Sequence, residues 1–242
     1  MKHPAESAEA RLASLLAQAG ISVAEAAQAE MLAYLRAVLI ANAAVNLTAI
    51  DEFDSALRLH IVDSLVALPE LLESPSGVML DLGSGGGFPG VPLMLATGRR
   101  VVLLDSVKKK GAAVSALLQE TLRGRPIEVM SERAEDHSKR HGARYAVVVA
   151  RAVAPLASIL ELASPLLCSG GMLVALKGSP EDSEVTSGAR VASIVGFGRL
   201  SMRQVTLPGG SERRTIVSAN KIRESKIPLP RRNGLAQKSP LA

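Results

Sequence analysis

Asp81-Leu82-Gly83-Ser84-Gly85-Gly86-Gly87-Phe88-Pro89-Gly90 is the stretch that decides the fold. An apolar run over residues 78–82 leads into it and a helical pattern near 90–97 leaves it, so its glycines sit on a strand-to-helix turn. Glycine there permits positive φ and brings the backbone close to a ligand, and a helix N-terminus adds free N–H groups. Working outward, short apolar runs recur at 101–105, 127–130, 146–151 and 172–177, with helical segments near 108–122, 134–140 and 155–167. Near-continuous apolar strands alternating with helices predict a parallel sheet covered on both faces. Two later runs, about 196–207 and 213–220, flank Pro208-Gly209-Gly210 and predict a hairpin, which brings the sheet to seven strands with an antiparallel member.

Upstream of the sheet, residues 5–44 are rich in Ala and Leu and predict two helices, the first ended by Gly20 and the second capped by Ser22 and running to about Asn42. A third helical stretch covers 55–72 and stops at Ser74-Pro75-Ser76-Gly77. The chain of 242 residues thus divides into a helical extension (1–75), a Rossmann-like domain (76–220) and a tail (221–242).

Three chemistries compete for the glycine loop. A Walker loop ends in Gly-Lys-Ser/Thr, and here the chain reads Gly-Phe-Pro. A dinucleotide fingerprint needs a third glycine where Phe88 stands. What remains is an acid followed by G-x-G-x-G, the first motif of S-adenosylmethionine-dependent methyltransferases of the Rossmann-like class. A tight turn with no ligand is the bland alternative. Asp105 ends the second strand 22 residues past Gly83, where an acid accepts ribose hydroxyls, although it equally suits a helix cap. Glu132-Arg133-Ala134-Glu135-Asp136 follows the third strand, within reach of the adenine end of such a cofactor, or forms a solvated turn. Arg151 ends the fourth strand, at the edge where open α/β sheets place ligands, and Lys177 makes the same argument more weakly at the fifth. His60 stands near Asp63 on a predicted helix and reads better as a packing residue than as a base.

Composition narrows the classes further. Aromatic residues are only 2%, which counts against a nucleic-acid binder built on stacking platforms. The single cysteine, Cys168, excludes an internal disulfide framework and a Cys-cluster zinc site, and reads as a small apolar residue near a helix end. No apolar stretch approaches the roughly 20 residues that span a bilayer, and the first residues lack an apolar leader, so the expected compartment is the cytoplasm. The net charge of +5 lies wholly in residues 221–242, where six cations face one acid; the body holds 22 basic and 22 acidic residues. A basic tail on a neutral body predicts contact with a polyanion. The candidate RNA contacts are Lys108 and Lys109 after the second strand, Arg213 and Arg214 after the late turn, and Arg231 and Arg232 in the tail. The tail is expected to add RNA affinity without choosing the base.

The ordered combination LDLGSGGGFPGVPLMLA, LLDSVKKK, SERAED, ARAVAPL and ALKG, with NLTAI and RLHIVDSLVALPELL upstream and ERRTIVSANKI downstream, resembles the bacterial rRNA small-subunit methyltransferase G family, also called glucose-inhibited division protein B. The resemblance spans about residues 32–232. It implies a monomeric class I methyltransferase fold with a helical N-terminal extension, no metal, and methyl transfer from S-adenosylmethionine to N7 of guanine 527 in 16S rRNA, free or within the small ribosomal subunit. It also implies cofactor contacts at Gly83, Phe88, Ala134, Glu135 and Arg151; Gly85 and Asp105 come from the loop reading above. Tails of this family often read PRRPGTPAK-P, and here residues 230–238 keep the charges but lose two prolines and a threonine.

Guanine N7 carries a free lone pair and needs no deprotonation, so no general base is expected. Catalysis then rests on proximity and in-line alignment. The rival readings are a class I methyltransferase acting on another RNA, a protein or a small molecule, a cofactor-holding sensor, and an NAD-type oxidoreductase.

Overall fold

The computed structural model describes residues 7–241; positions 5 and 6 of the predicted first helix lie outside the described residues. Helix α1 (Ala8–Gln18) opens on Ser7, whose hydroxyl accepts a hydrogen bond from the Ala10 amide at 3.1 Å, and the chain turns away at Gly20 with φ of +67°. Helix α2 (Glu25–Val45) begins beyond Ser22: Ala24 holds the cap position without a side-chain bond. It also runs past Asn42 to a left-handed Asn46, while the Asn42 side chain accepts from the Thr48 amide at 2.9 Å. The third predicted helix is a broken one. It comprises α3 (Phe53–Ala56), a π-helical turn over Leu57–Val62, α4 (Asp63–Leu65), and α5 (Leu68–Glu73) with proline in its first turn.

The sheet strands alternate with helices in the predicted order. They are β1 (Met79–Leu82), α6 (Gly90–Thr97), β2 (Val101–Leu104), α7 (Lys108–Thr121), β3 (Ile127–Met130), α8 (Ala134–His141), β4 (Tyr145–Arg151), α9 (Leu156–Ala163), β5 (Leu167–Lys177), α10 (Asp182–Val195), β6 (Ser201–Thr206) and β7 (Arg213–Asn220), with a last short helix α11 (Leu235–Lys238). The order across the sheet is β3-β2-β1-β4-β5-β7-β6; β1 to β5 run parallel and β7 runs antiparallel to both neighbours. The strand order reverses between β1 and β4, and that switch point is where open α/β sheets bind ligands.

Period-two geometry explains why the strands read as unbroken apolar runs. Met79, Val101, Leu103, Val147 and Val149 face one core, and Leu80, Val102, Leu104, Val148 and Ala150 face the other. The first core also contains Leu12, Leu16, Leu35, Ile61 and Leu71, so the N-terminal helices are a covering layer of the sheet itself. Tyr34 of α2 is fully buried and donates to the Gly86 carbonyl at 3.0 Å, tying this layer to the glycine loop. Among the described residues no helix is long and apolar enough to cross a membrane.

Two elements differ from the sequence reading. Strand β5 starts five residues earlier than the apolar run suggests and includes Cys168, which is therefore a strand residue. Helix α10 carries no clear apolar periodicity in its first half and contains Gly188, so the sequence does not announce it. A Cβ on Gly188 would lie 2.6 Å from the Leu156 side chain: glycine is what lets α10 approach α9.

The tail departs most from expectation. Lys221 is buried, with Nζ donating to the Ser164 and Leu167 carbonyls at 2.8 and 3.1 Å. Leu229 and Leu241 pack against the second core and Ala236 is buried within it. Replacing Tyr34 with Phe leaves the buried Gly86 carbonyl without that donor; the expected cost is about 1–2 kcal/mol, read from urea unfolding of the variant against the parent protein.

Candidate active site at the switch point

Two cavities open over the C-terminal ends of β1, β2, β4 and β5. The first, about 300 Å³, is lined by Gly83, Gly85, Asp105, Ala134, Glu135 and Gln237 among others. Gly83, Gly85 and Gly87 all hold positive φ, at +72°, +52° and +87°. A Cβ on Gly83 would stand 2.7 Å from the Val153 side chain, so the loop leaves a bare backbone floor only because glycine occupies it. Asp105 is half-buried: one carboxylate oxygen accepts from the Gly85 amide at 3.0 Å and the other from Val107 at 2.8 Å. Asp105 is not the cap of α7, which is Val107 without a side-chain bond; its carboxylate instead ties the glycine loop to the turn before that helix.

Asp81 lies beneath the loop, fully buried. One oxygen accepts from the Gly90 amide at 2.7 Å, and the other has no partner among the described residues. Burial pushes its carboxyl up to about 7, against the opposing pull of the Gly90 hydrogen bond and Arg151. An orphaned acceptor beneath a glycine cradle is suited to a cationic ligand.

The second cavity, about 440 Å³, is lined by Thr48, His60, Asp63, Arg151, Lys177 and Arg214 among others. Ala152 borders both cavities, and it holds φ of +54°, which is unusual for a residue with a Cβ and belongs to the sharp exit from β4. Arg151 donates to Asp63 at 3.1 Å and to the Leu59 carbonyl at 2.9 Å, and approaches His60 Nδ1 at 3.3 Å. Arg214 of β7 donates to the other Asp63 oxygen at 2.8 Å. Asp63 is therefore clamped between two guanidiniums. The π-helical turn delivers this arrangement: its wider pitch brings Leu59, His60 and Asp63 to one wall. Burial, with Arg151 beside it, pulls the His60 imidazole down to about 4, so it is neutral at pH 7. Its Nε2 lies 2.7 Å from the Thr48 hydroxyl. Lys177 bonds Glu184 and the Ala154 carbonyl, at 2.8 and 3.0 Å, which braces the turn after β4.

The structure thus gathers Gly83, Gly85, Asp105, Ala134 and Glu135 at one cavity and Arg151, His60, Lys177 and Arg214 at the other. Four predicted residues have different surroundings from those expected. Phe88 lies behind the wall, stacked on His60 at 4.6 Å between ring centres, and is buried. The Glu135 carboxylate turns to the tail, accepting from the Gly234 amide at 2.7 Å, so what it offers the cavity is backbone. Arg231 is not a free cation: it forms a two-pronged ion pair with Glu161 at 2.7 and 2.5 Å. Arg214 is likewise committed, to Asp63. Lys108, Arg213 and Arg232 are exposed, and Lys109 is exposed with Nζ 3.0 Å from the Ala44 carbonyl.

With this geometry in view, comparison with known proteins is direct. The model of the family described as rRNA small subunit methyltransferase G matches residues 27–217. The chain belongs to that family. Among relatives named ribosomal RNA small subunit methyltransferase G, that of Deinococcus radiodurans is 37% identical over 220 residues, covering 88% of this chain and 84% of its own. That of Carboxydothermus hydrogenoformans is 31% identical over 238 residues, covering 96% of this chain and all of its own. Among solved structures, the O-methyltransferase from Bacillus cereus in complex with SAH is 17% identical with a TM-score of 0.53, covering 78% of this chain and 90% of that one. The fold is that of class I S-adenosylmethionine-dependent methyltransferases.

Within this member of the methyltransferase G family, Asp63 and Thr48 are site residues that sequence reasoning passed over. Asp63 lies 88 positions from Arg151, and only the π-helical turn makes them neighbours. Arg151→Ala leaves a buried carboxylate with one guanidinium instead of two. The expected loss is about 3 kcal/mol in urea unfolding, and Arg151→Lys recovers only part of it, because an ammonium replaces the Nη1 contacts to Asp63 and Leu59 but has no second prong for His60 Nδ1, which Nη2 approaches.

Proposed function

We propose that the chain methylates N7 of guanine 527 in 16S rRNA, with S-adenosylmethionine in the first cavity and the target base in the second. The observation that carries this reading is the shared wall: Ala152, directly after β4, lines both cavities and Arg151, the last residue of β4, lines the second, so a donor and an acceptor held there are adjacent. The first cavity fits the donor in its chemistry: a glycine floor, the Asp105 carboxylate for ribose hydroxyls, the start of α8 at Ala134 and Glu135, and, buried beneath the loop outside the lining, the partnerless Asp81 oxygen, whose charge favours a cationic amino acid end above it. Bound there, S-adenosylmethionine supplies an electrophilic methyl on a sulfonium that departs as a neutral thioether.

The chain's own residues position and shape. Arg151 and Arg214, locked on Asp63, fix the second cavity without a movable base. His60, held neutral and stacked on Phe88, gives it a flat rigid side. N7 needs no proton removed, so alignment supplies the rate. In this reading the helical extension up to residue 75 supplies one side of the acceptor cavity, residues 76–220 hold the donor, and the described tail, residues 221–241, braces it. The exposed cations Lys108, Lys109, Arg213 and Arg232 suit phosphate contacts that position the RNA. We read the protein as a cytoplasmic monomer acting on small-subunit rRNA.

The direct test is mapping of N7-methylguanosine in 16S rRNA from cells with and without the gene. The mark at position 527 is expected to vanish in the deletion, and a mark that persists there overturns the assignment. A second expectation follows from Asp81. Its raised pKa means the folded apo protein holds a proton that the unfolded chain has lost, so apo stability falls as pH climbs from the usual carboxylate range to about 7. A cationic ligand favours the carboxylate, so S-adenosylmethionine affinity rises over the approach to pH 7 with proton release. Calorimetry in buffers of different ionisation enthalpy reads this release, and Asp81→Asn abolishes it.

A further inference from the structure

The segment from Leu229 to Leu241 is bound to the body by contacts that converge on the first cavity. The Arg231 guanidinium holds both oxygens of Glu161, whose side chain is 2% exposed, and Nη2 also donates to the Ser239 carbonyl at 2.8 Å. One side chain thereby fastens the start of the segment to α9 and to its own far end. Asn233 donates to Asp136 at 2.7 Å, and the Gly234 amide donates to Glu135 at 2.7 Å. Asp136 and Glu135 lie in the first turn of α8, whose N-terminal backbone faces the cavity. Gly234, left-handed at φ +77°, then starts α11. That helix places Gln237 in the cavity wall, in company with Leu162 of α9 and Ala134 of α8. Gln237 is exposed, and its side-chain amide makes no hydrogen bond to the described residues.

We propose that residues 229–241 form the outer wall of the adenosine half of the cofactor site, and that Gln237 is a specificity residue that hydrogen-bonds the adenine base. The proposal rests on the donor placement given above. Asp105 anchors the ribose end of that cavity, and α8 and Gln237 stand beyond it, where the base must lie. A glutamine amide presents a donor and an acceptor side by side. Adenine presents the complementary pair, the N6 amine and a ring nitrogen, and glutamine reads that pair bidentately in DNA. On the edge that carries N6 and N7, hypoxanthine presents two acceptors, O6 and N7, and leaves the glutamine carbonyl without a donor. Arg231, a tail cation that composition assigned to RNA, thus acts within the chain, where it holds the wall in place.

The test is calorimetric titration of the full chain with S-adenosylhomocysteine and with its hypoxanthine counterpart, S-inosylhomocysteine. The parent protein is expected to prefer the adenine compound by roughly 10-fold, in line with one bidentate base contact. Gln237→Ala is expected to lose most of that preference by weakening the adenine compound alone, and Gln237→Asn to retain part of it. Amide hydrogen exchange over residues 234–238 is expected to slow when S-adenosylhomocysteine binds. Parent binding with an unchanged base preference in Gln237→Ala overturns the proposal while leaving the donor placement intact. Absence of any binding by the parent protein overturns both.

Discussion

Asp63 is the charge on which the site depends. It is almost wholly buried, and it is tolerable there only because Arg151 and Arg214 each occupy one of its oxygens. The three residues come from the N-terminal helices, the end of β4 and the start of β7. Removing either arginine leaves one buried Asp63 oxygen without its guanidinium, and removing Asp63 leaves two neighbouring cations without the carboxylate between them. The clamp therefore does two things at once. It fastens the helical layer to the sheet, and it fixes the wall between two cavities at the atom where β4 ends.

The glycine loop is secured from the same side. Tyr34 reaches from α2 to the Gly86 carbonyl, and a Cβ on Gly87 would meet the Tyr34 hydroxyl at 2.5 Å. Asp81 holds the other end of the loop through the Gly90 amide. The N-terminal helices are thus structural members of the cofactor loop as well as one side of the second cavity. This explains why the chain carries some 75 residues ahead of the sheet while sharing one continuous core with it.

Strands β1, β2 and β4 were legible because each is buried on both faces, and the turns after β1, β2 and β3 because each is marked by glycine or an acid. The glycine loop and Asp105 were legible because backbone chemistry leaves a local pattern. What escaped is non-local or aperiodic. The π-helical turn widens a helix that apolar spacing reads as regular, and Asp63 looks like an ordinary polar position until Arg151 and Arg214 are beside it. Helix α10 is held by the close approach at Gly188, a tertiary fact with no periodic signature. Ser22 has the right chemistry for a cap, and the chain starts its helix after Ala24 all the same.

Charge is where composition and structure part most instructively. Counting places the whole net charge in the tail, and a count assumes that every cation faces water. Lys221 instead caps two carbonyls in the interior, and Arg231 neutralises the buried Glu161. A cation that is matched inside the protein contributes little to the field felt by a distant polyanion. In the proposed reading the attraction for RNA falls to the cations that stay exposed, Arg232 in the tail together with Lys108 and Lys109 at the start of α7 and Arg213 at the start of β7. That placement is mechanistically sensible, since phosphate contacts set register, and register matters most where the base must meet the methyl donor.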